Sequence, residues 1–261
     1  MLDLFGIGPA RFETFLLVLV RTSVMLGLVP LFSSKQIPML TRFGLGLLIA
    51  FAVSRTIPEV SRIDGVGPLV VAILSQAFVA LVFGFVASLV FTGIQFAGEI
   101  MDLQVGFGAV NIVNPMTQQQ VTIIGQFQLV LATLLFLIGD GHHLLLMGLR
   151  GSFDLIPLPF VRLDAILAST VGMFFAQALG LVFEIAAPVA VALFITNVAL
   201  GFLARVAPQM NVFAVGFPLQ IAIGLIMVVV SLPLLGYVLP HAYGEIPQHL
   251  DATLRQMAPN R

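Results

Sequence analysis

Long uninterrupted apolar runs constrain this chain more than any other feature. They appear at Phe12 to Phe32, Val66 to Gly98, Val121 to Ile138, Leu163 to Leu203 and Val212 to Leu239, with a shorter one at Met39 to Val53. A bilayer needs about 20 apolar residues to be crossed by a helix. Only helices and closed barrels satisfy their backbone in lipid, and runs this long and this continuous are helical. The chain is 59% hydrophobic and 9% charged, with a mean hydropathy of +1.12, where a soluble domain carries about 25% charged residues. The expected fold class is all-α, an integral membrane helical bundle.

The Leu163 to Leu203 run is about twice the length of one span. It contains Pro188, which lacks the N–H that a helix interior needs, so the run either turns near there or is one long helix kinked there, and two helices are expected. Short joints with turn chemistry separate the runs: "SSKQIP", "SRTIPEVSRIDGVGP", "IPLPF" and "APQMN". The segment from His241 to Arg261 is polar and is expected outside the bilayer as a tail. The N-terminus carries Asp3 and no basic region ahead of a short apolar core, which argues against a cleavable signal peptide.

Charge excludes several classes of function. The net charge is −1 and no basic block occurs, so neither nucleic acid nor an anionic surface is indicated as partner. Lys35, Arg42, Arg55, Arg62, Arg150, Arg162 and Arg205 are spread over nearly every joint, and the positive-inside rule gives no orientation. Cysteine is absent, which removes disulfides, thiolate nucleophiles and Cys-ligated metals. No phosphate-binding or dinucleotide-binding glycine motif occurs, and no low-complexity segment or internal repeat is evident.

Polar residues recur within the greasy runs: Arg21, Gln76, Gln95, Glu99, Gln126, Gln128, Gln177, Glu184, Asn197 and Gln220. An ionised group at the bilayer centre costs at least about 2.5 kcal/mol, so these side chains should face protein or water. Glu184, Gln177, Gln220 and, at a run's end, Arg205 are expected as buried polar or interface residues. Small residues repeat every fourth position at Ala80, Gly84, Ser88 and Thr92, and again at Ala168, Gly172, Ala176 and Gly180, with Glu184 next in the row. Each stripe predicts a closely packed helix neighbour, in this chain or another.

Catalytic candidates are weak. "IGDGHHLL" clusters Asp140, His142 and His143, but adjacent histidines project about 100° apart on a helix. Zinc helices instead use His at i and i+4. An aspartyl dyad needs a second buried Asp, which no run supplies at its centre. Ser152 in "RGSFD" lacks the nucleophile elbow and a base. No catalytic residue, cofactor site or metal site is assigned, and the expectation is a non-enzymatic protein.

One loop stands apart. "GFGAVNIVNPM" lies between two apolar runs and is rich in Gly, Asn and Pro, yet its remaining residues, among them Phe107, Val110, Ile112 and Val113, are apolar. A water-exposed connector has no reason to be apolar, so something else must cover it.

Four strings in order, "PLFSSKQIPMLTRFGLGLLIA", "GEIMDLQVGFGAVNIVNP", "LLFLIGDGHHLLLMGLRGSF" and "ARVAPQMNVFAVGFPLQIAIGLIMVVVSLPLL", resemble the FliR family, the flagellar members of the type III secretion export-gate proteins. The resemblance covers about Pro30 to Leu235 and looks flagellar rather than injectisome-type. It implies one subunit of a hetero-oligomeric helical export gate in the bacterial inner membrane and flagellar basal body. FliP and FliQ homologues would share the ring, with FlhB and FlhA homologues beside it and unfolded flagellar components as substrates. It implies bent hairpins, with residues 1–162 FliP-like, 163–240 a FliQ-like hairpin and 241–261 a polar tail. It also implies that Gly106, Phe107, Gly108, Ala109, Val110, Asn111, Ile112, Val113 and Asn114 form a plug in the pore. The competing possibility, a self-contained secondary transporter, requires an inverted repeat that the sequence does not display.

Overall fold

The computed structural model describes residues 8–34, 37–107, 122–159 and 166–257. Among them the secondary structure is helical, without strands. In chain order the helices are α1 (Pro9–Leu28), α2 (Pro30–Ser33), α3 (Met39–Ser54), α4 (Val66–Val105), α5 (Ile123–Ile138), α6 (Gly141–Leu155), α7 (Ile166–Val206) and α8 (Val212–Met257). Three are long and apolar enough to cross a membrane, over Val66–Val105, Ser169–Val206 and Ala214–Arg255, with the broken pair α5 and α6 a further candidate span. This is an all-α membrane bundle, as the apolar runs predict.

Several boundaries differ from the sequence expectation, each for a local reason. The Phe12 to Phe32 run breaks at Val29, which is extended (φ −76°, ψ 122°), because the ring of Pro30 disfavours helix at the preceding residue. The resulting α1, which carries Arg11, Glu13 and Arg21, is not among the helices apolar enough to span. The turn expected at Pro188 does not form. Helix α7 runs through it for 41 residues, since "EIAAPVAVALF" has no glycine or polar turn residue that would stop a helix on either side. The polar segment beyond His241 is helical and forms the last part of α8, which extends to Met257, with Ile246, Thr253 and Leu254 buried. At 1.5 Å per residue, helices of 40 residues or more are about 60 Å long.

The chain divides into two compact units, one of Met1–Leu89, Asp140–Phe175 and Gly244–Arg261, the other of Val90–Gly139 and Ala176–Tyr243. The first buries Leu17, Val18 and Met25 of α1, Val79 and Phe83 of α4 and Leu145 and Leu149 of α6. Its small-residue stripe works as predicted: a Cβ at Gly84 would lie 2.8 Å from the Leu28 side chain, so only glycine lets α4 approach α1 this closely.

Arg21 organises this unit. Its side chain is 1% exposed and pairs with no carboxylate among the described residues. Nε donates to Gln76 Oε1 at 2.9 Å, Nη1 to the Ser152 carbonyl at 2.9 Å and hydroxyl at 3.1 Å, and Nη2 to the Ile156 carbonyl at 3.0 Å. The Phe153 ring lies 4.2 Å from the guanidinium carbon. The Ser152 carbonyl also accepts the Ile156 N–H at 2.9 Å, but it and the C-cap Ile156 carbonyl lie at the negative end of the α6 dipole, so a guanidinium suits them without a counter-ion. Gln76 completes the joint by donating to the Pro159 carbonyl at 2.7 Å.

The second unit is centred on Phe91, Phe136 and Tyr243, with the Phe91 and Phe136 rings edge to face at 5.2 Å. The Tyr243 hydroxyl, otherwise stranded in apolar surroundings, donates to the Ala132 carbonyl at 2.9 Å. Val182, Ile185, Val189 and Leu193 of α7 and Leu235 and Leu239 of α8 complete this core.

Candidate functional site

The most organised polar site of the second unit lies where α4 ends and α5 begins, at the foot of the apolar loop. Helix α4 closes on Gly106, whose N–H bonds the Asp102 carbonyl at 3.2 Å and whose φ is +98°. That left-handed conformation is strained for any residue with a Cβ. A Cβ there would also sit 3.2 Å from the Phe217 ring of α8. Phe107 is half-buried. The rest of the predicted plug, Gly108, Ala109, Val110, Asn111, Ile112, Val113 and Asn114, lies outside the described residues.

One turn before Gly106, Asp102 is 3% exposed. Its Oδ1 accepts the N–H of Ile124 at 3.0 Å and its Oδ2 that of Gly125 at 3.2 Å. These amides belong to the first turn of α5, which no side chain at its own N-cap, Thr122, satisfies. The carboxylate therefore supplies the cap from the neighbouring helix and meets the positive end of the α5 dipole. Close approach makes this possible: Gly98 and Gly125 pack backbone against backbone, and a Cβ at Gly125 would lie 3.1 Å from the Gln95 carbonyl. Alongside, Gln95 donates to Glu99 at 3.1 Å. Gln128 is fully buried, with its amide on the Met101 sulfur at 3.3 Å and its Oε1 without a partner among the described residues.

The other predicted polar residues are distributed differently. Gln177, Glu184 and Arg205 are exposed in the single chain, as is Gln126. Gln220 is half-buried and donates to Asn197, and the two line a shallow cavity of about 270 Å³ with Leu200, Gly216 and Phe217. Of the positions expected to be buried or at an interface, Gln177, Glu184 and Arg205 are not buried within this chain. The reason is that α7 covers little of itself: 28% of its most apolar stretch is buried. The stripe on α7 behaves the same way, since a Cβ at Gly172 or Gly180 would meet nothing within 4 Å.

At the start of α6 the residues of "GDGHH" do come together. Asp140 adopts a left-handed conformation with φ 55°. The rings of His142 and His143 are 4.5 Å apart, and Asp140 Oδ1 lies 3.5 Å from His143 Nδ1. All three possible ligand atoms fall within 4.8 Å of one another, although helical spacing predicts divergent rings. The side chains turn toward each other at the first turn of α6. Ser152 is committed elsewhere: its hydroxyl donates to the Leu149 carbonyl at 2.7 Å and accepts from Arg21.

The profile of the family described as bacterial export proteins, family 1, matches residues 12–246. The chain belongs to this family. It is 33% identical to the flagellar biosynthetic protein FliR of Bacillus subtilis (strain 168) over 235 residues, covering 89% of this chain and 91% of that protein. It is 31% identical to the FliR of Pectobacterium carotovorum subsp. carotovorum over 250 residues, 92% of each chain. To the FliR of Escherichia coli (strain K12) it is 29% identical over 235 residues, 87% of each.

The family match spans the loop foot, the Arg21 joint and most of α8, so this FliR-family chain carries both polar centres inside the shared region. Of the two, sequence reasoning singled out Arg21 and Gln76 but missed Asp102. The available signal was an acid at the end of an apolar run, four residues before a glycine that stops it.

Proposed function

We propose that the chain is a non-enzymatic subunit of the flagellar type III protein-export gate, in the bacterial inner membrane at the flagellar basal body. It assembles with FliP and FliQ homologues, adjoins FlhB and FlhA homologues, and passes unfolded flagellar components. Residues 1–162 are the FliP-like part and 163–240 the FliQ-like hairpin. The observation that carries this reading is the family match over residues 12–246, with relatives named flagellar biosynthetic proteins. Support comes from α7, where Gln177, Glu184 and the glycine stripe are exposed on a helix of bilayer-spanning character. Polar and small faces of this kind have no stable place in lipid and call for protein neighbours.

Within the gate, Gly106 to Asn114 plug the pore. The loop is apolar where a solvated connector would be polar, and Gly106 provides a left-handed exit from α4. Shortening the loop within Gly108 to Val113, or replacing Val110 and Ile112 by Asp, should leave complex yield on a native gel near normal. The same variants should raise conductance or small-solute uptake in producing cells, because carboxylates resist a dry constriction. Normal yield with unchanged leak removes the plug assignment, and lost yield with tight surviving complexes makes the loop a structural connector.

A further inference from the structure

We propose that Asp140, His142 and His143 bind a divalent transition-metal ion of the zinc class at the first turn of α6. The site lies outside the export-gate reading and does not rest on it. The three residues offer one carboxylate oxygen and two imidazole nitrogens, and these ligand atoms lie within 4.8 Å of one another. Around a tetrahedral ion with bonds of about 2.0–2.1 Å, donors stand about 3.3 Å apart. Asp140 Oδ1 and His143 Nδ1, at 3.5 Å, are close to that spacing. The rings of His142 and His143 are 4.5 Å apart and inclined by 35°, so one ion can reach both. Side-chain rotation closes the remaining gap, because Asp140 and His143 are exposed and His142 is half-buried.

The donors are uncommitted. Asp140 is the N-cap residue of α6, yet its carboxylate makes no capping hydrogen bond. The N–H groups of His143 and Leu144 bond its backbone carbonyl instead, at 2.9 and 3.3 Å, which leaves the carboxylate free for a cation. His142 Nδ1 is buried and has no hydrogen-bond partner among the described residues. A buried polar nitrogen without a partner costs free energy, and a ring that no hydrogen bond fixes can turn a nitrogen to an ion. The donor set selects the metal. Imidazole suits zinc, copper and nickel, whereas calcium and magnesium take oxygen ligands. Three protein donors leave a fourth position open to water. The positive end of the α6 dipole opposes a cation here, and the charge of Asp140 offsets it. The bound ion ties the residue that starts α6 to the two that follow in its first turn.

Zinc titrated into the metal-free full chain in mixed micelles, followed by calorimetry, tests the site. Competing donors are few, since the chain has no cysteine and its other histidines are His241 and His249. One zinc ion should bind per chain. His142→Ala, His143→Ala and Asp140→Asn should each weaken binding by at least about tenfold, because losing even an outer partner of a metal ligand costs about 10–100-fold. His241→Ala and His249→Ala should leave the affinity unchanged, and calcium should not compete. Cobalt(II) gives a second readout: its visible absorption in the unaltered chain should be lost in His143→Ala. Should Asp140→Asn fail to accumulate, His143→Ala decides, because that side chain is exposed and its loss leaves the packing alone. No zinc bound by the folded chain, binding as tight in the His143→Ala variant as in the unaltered chain, or displacement of zinc by calcium overturns the site.

Discussion

Replacing Gln76 by Leu tests the Arg21 joint. The substitution is close to isosteric, so packing changes little, but Gln76 Oε1 accepts from both Nε and Nη2 of a guanidinium that is 1% exposed. Hydrogen bonds to a charged group are worth about 1.5–3 kcal/mol each, so losing two costs about 3–6 kcal/mol. The stranded Pro159 carbonyl, which now accepts from Gln76 Nε2, adds about 1 kcal/mol. Arg21→Met alone removes the charge but orphans Gln76 Oε1 and the Ile156 carbonyl; the Ser152 carbonyl still accepts from its own helix at 2.9 Å. The double variant no longer holds an unpartnered charge. Its cost should therefore fall short of the sum of the single costs by about 2–3 kcal/mol, the size expected for residues in direct contact. Equilibrium unfolding in mixed micelles gives the four free energies of the cycle. A Gln76→Leu cost below about 1 kcal/mol, or additivity within about 0.5 kcal/mol, refutes the assignment of Arg21 as a charge held in place by Gln76.

Gly84→Val should destabilise the first unit by about 1–3 kcal/mol, because the added Cβ falls 2.8 Å from Leu28; the same micelle titration reads it, and Gly172→Val, which meets nothing within 4 Å, should be neutral in the isolated chain. Glu184→Ala should lower complex yield with FliP and FliQ homologues or flagellar export, whereas Glu245→Ala should leave both near normal. Wild-type behaviour of both would show that Glu184 faces no partner.

The long helices were legible because continuous apolar sequence leaves a backbone no other way to satisfy its hydrogen bonds in lipid. At two places the neighbours outweigh a single residue. Pro188 sits among uniformly helix-compatible residues and the helix continues through it, and the polar segment after His241 is helical because Tyr243, Ile246 and Leu254 give it an apolar row that is buried. The two small-residue stripes looked alike in sequence, and only the packing separates them: Gly84 meets Leu28, while Gly172 and Gly180 meet nothing in this chain. Asp102 was illegible for a different reason. Its meaning depends on which amides stand opposite, and those come from the far side of a long loop. His142 and His143 show the same limit, since backbone periodicity does not fix where two side chains point at a helix end.

The length of α4, α7 and α8 bears on how this protein responds to its lipid. A helix with one apolar stretch matched to the hydrocarbon core tilts, or thins the bilayer, when that core changes by a few ångströms. Helices of 40, 41 and 46 residues exceed a core of about 30 Å by a factor near two, so no lipid chain length matches them. Their apolar surface beyond the core must be covered by protein, and hydrophobic mismatch loses its grip on their placement. Assembly of such a chain is set by its protein neighbours, and yield should be nearly the same in thin and in thick bilayers.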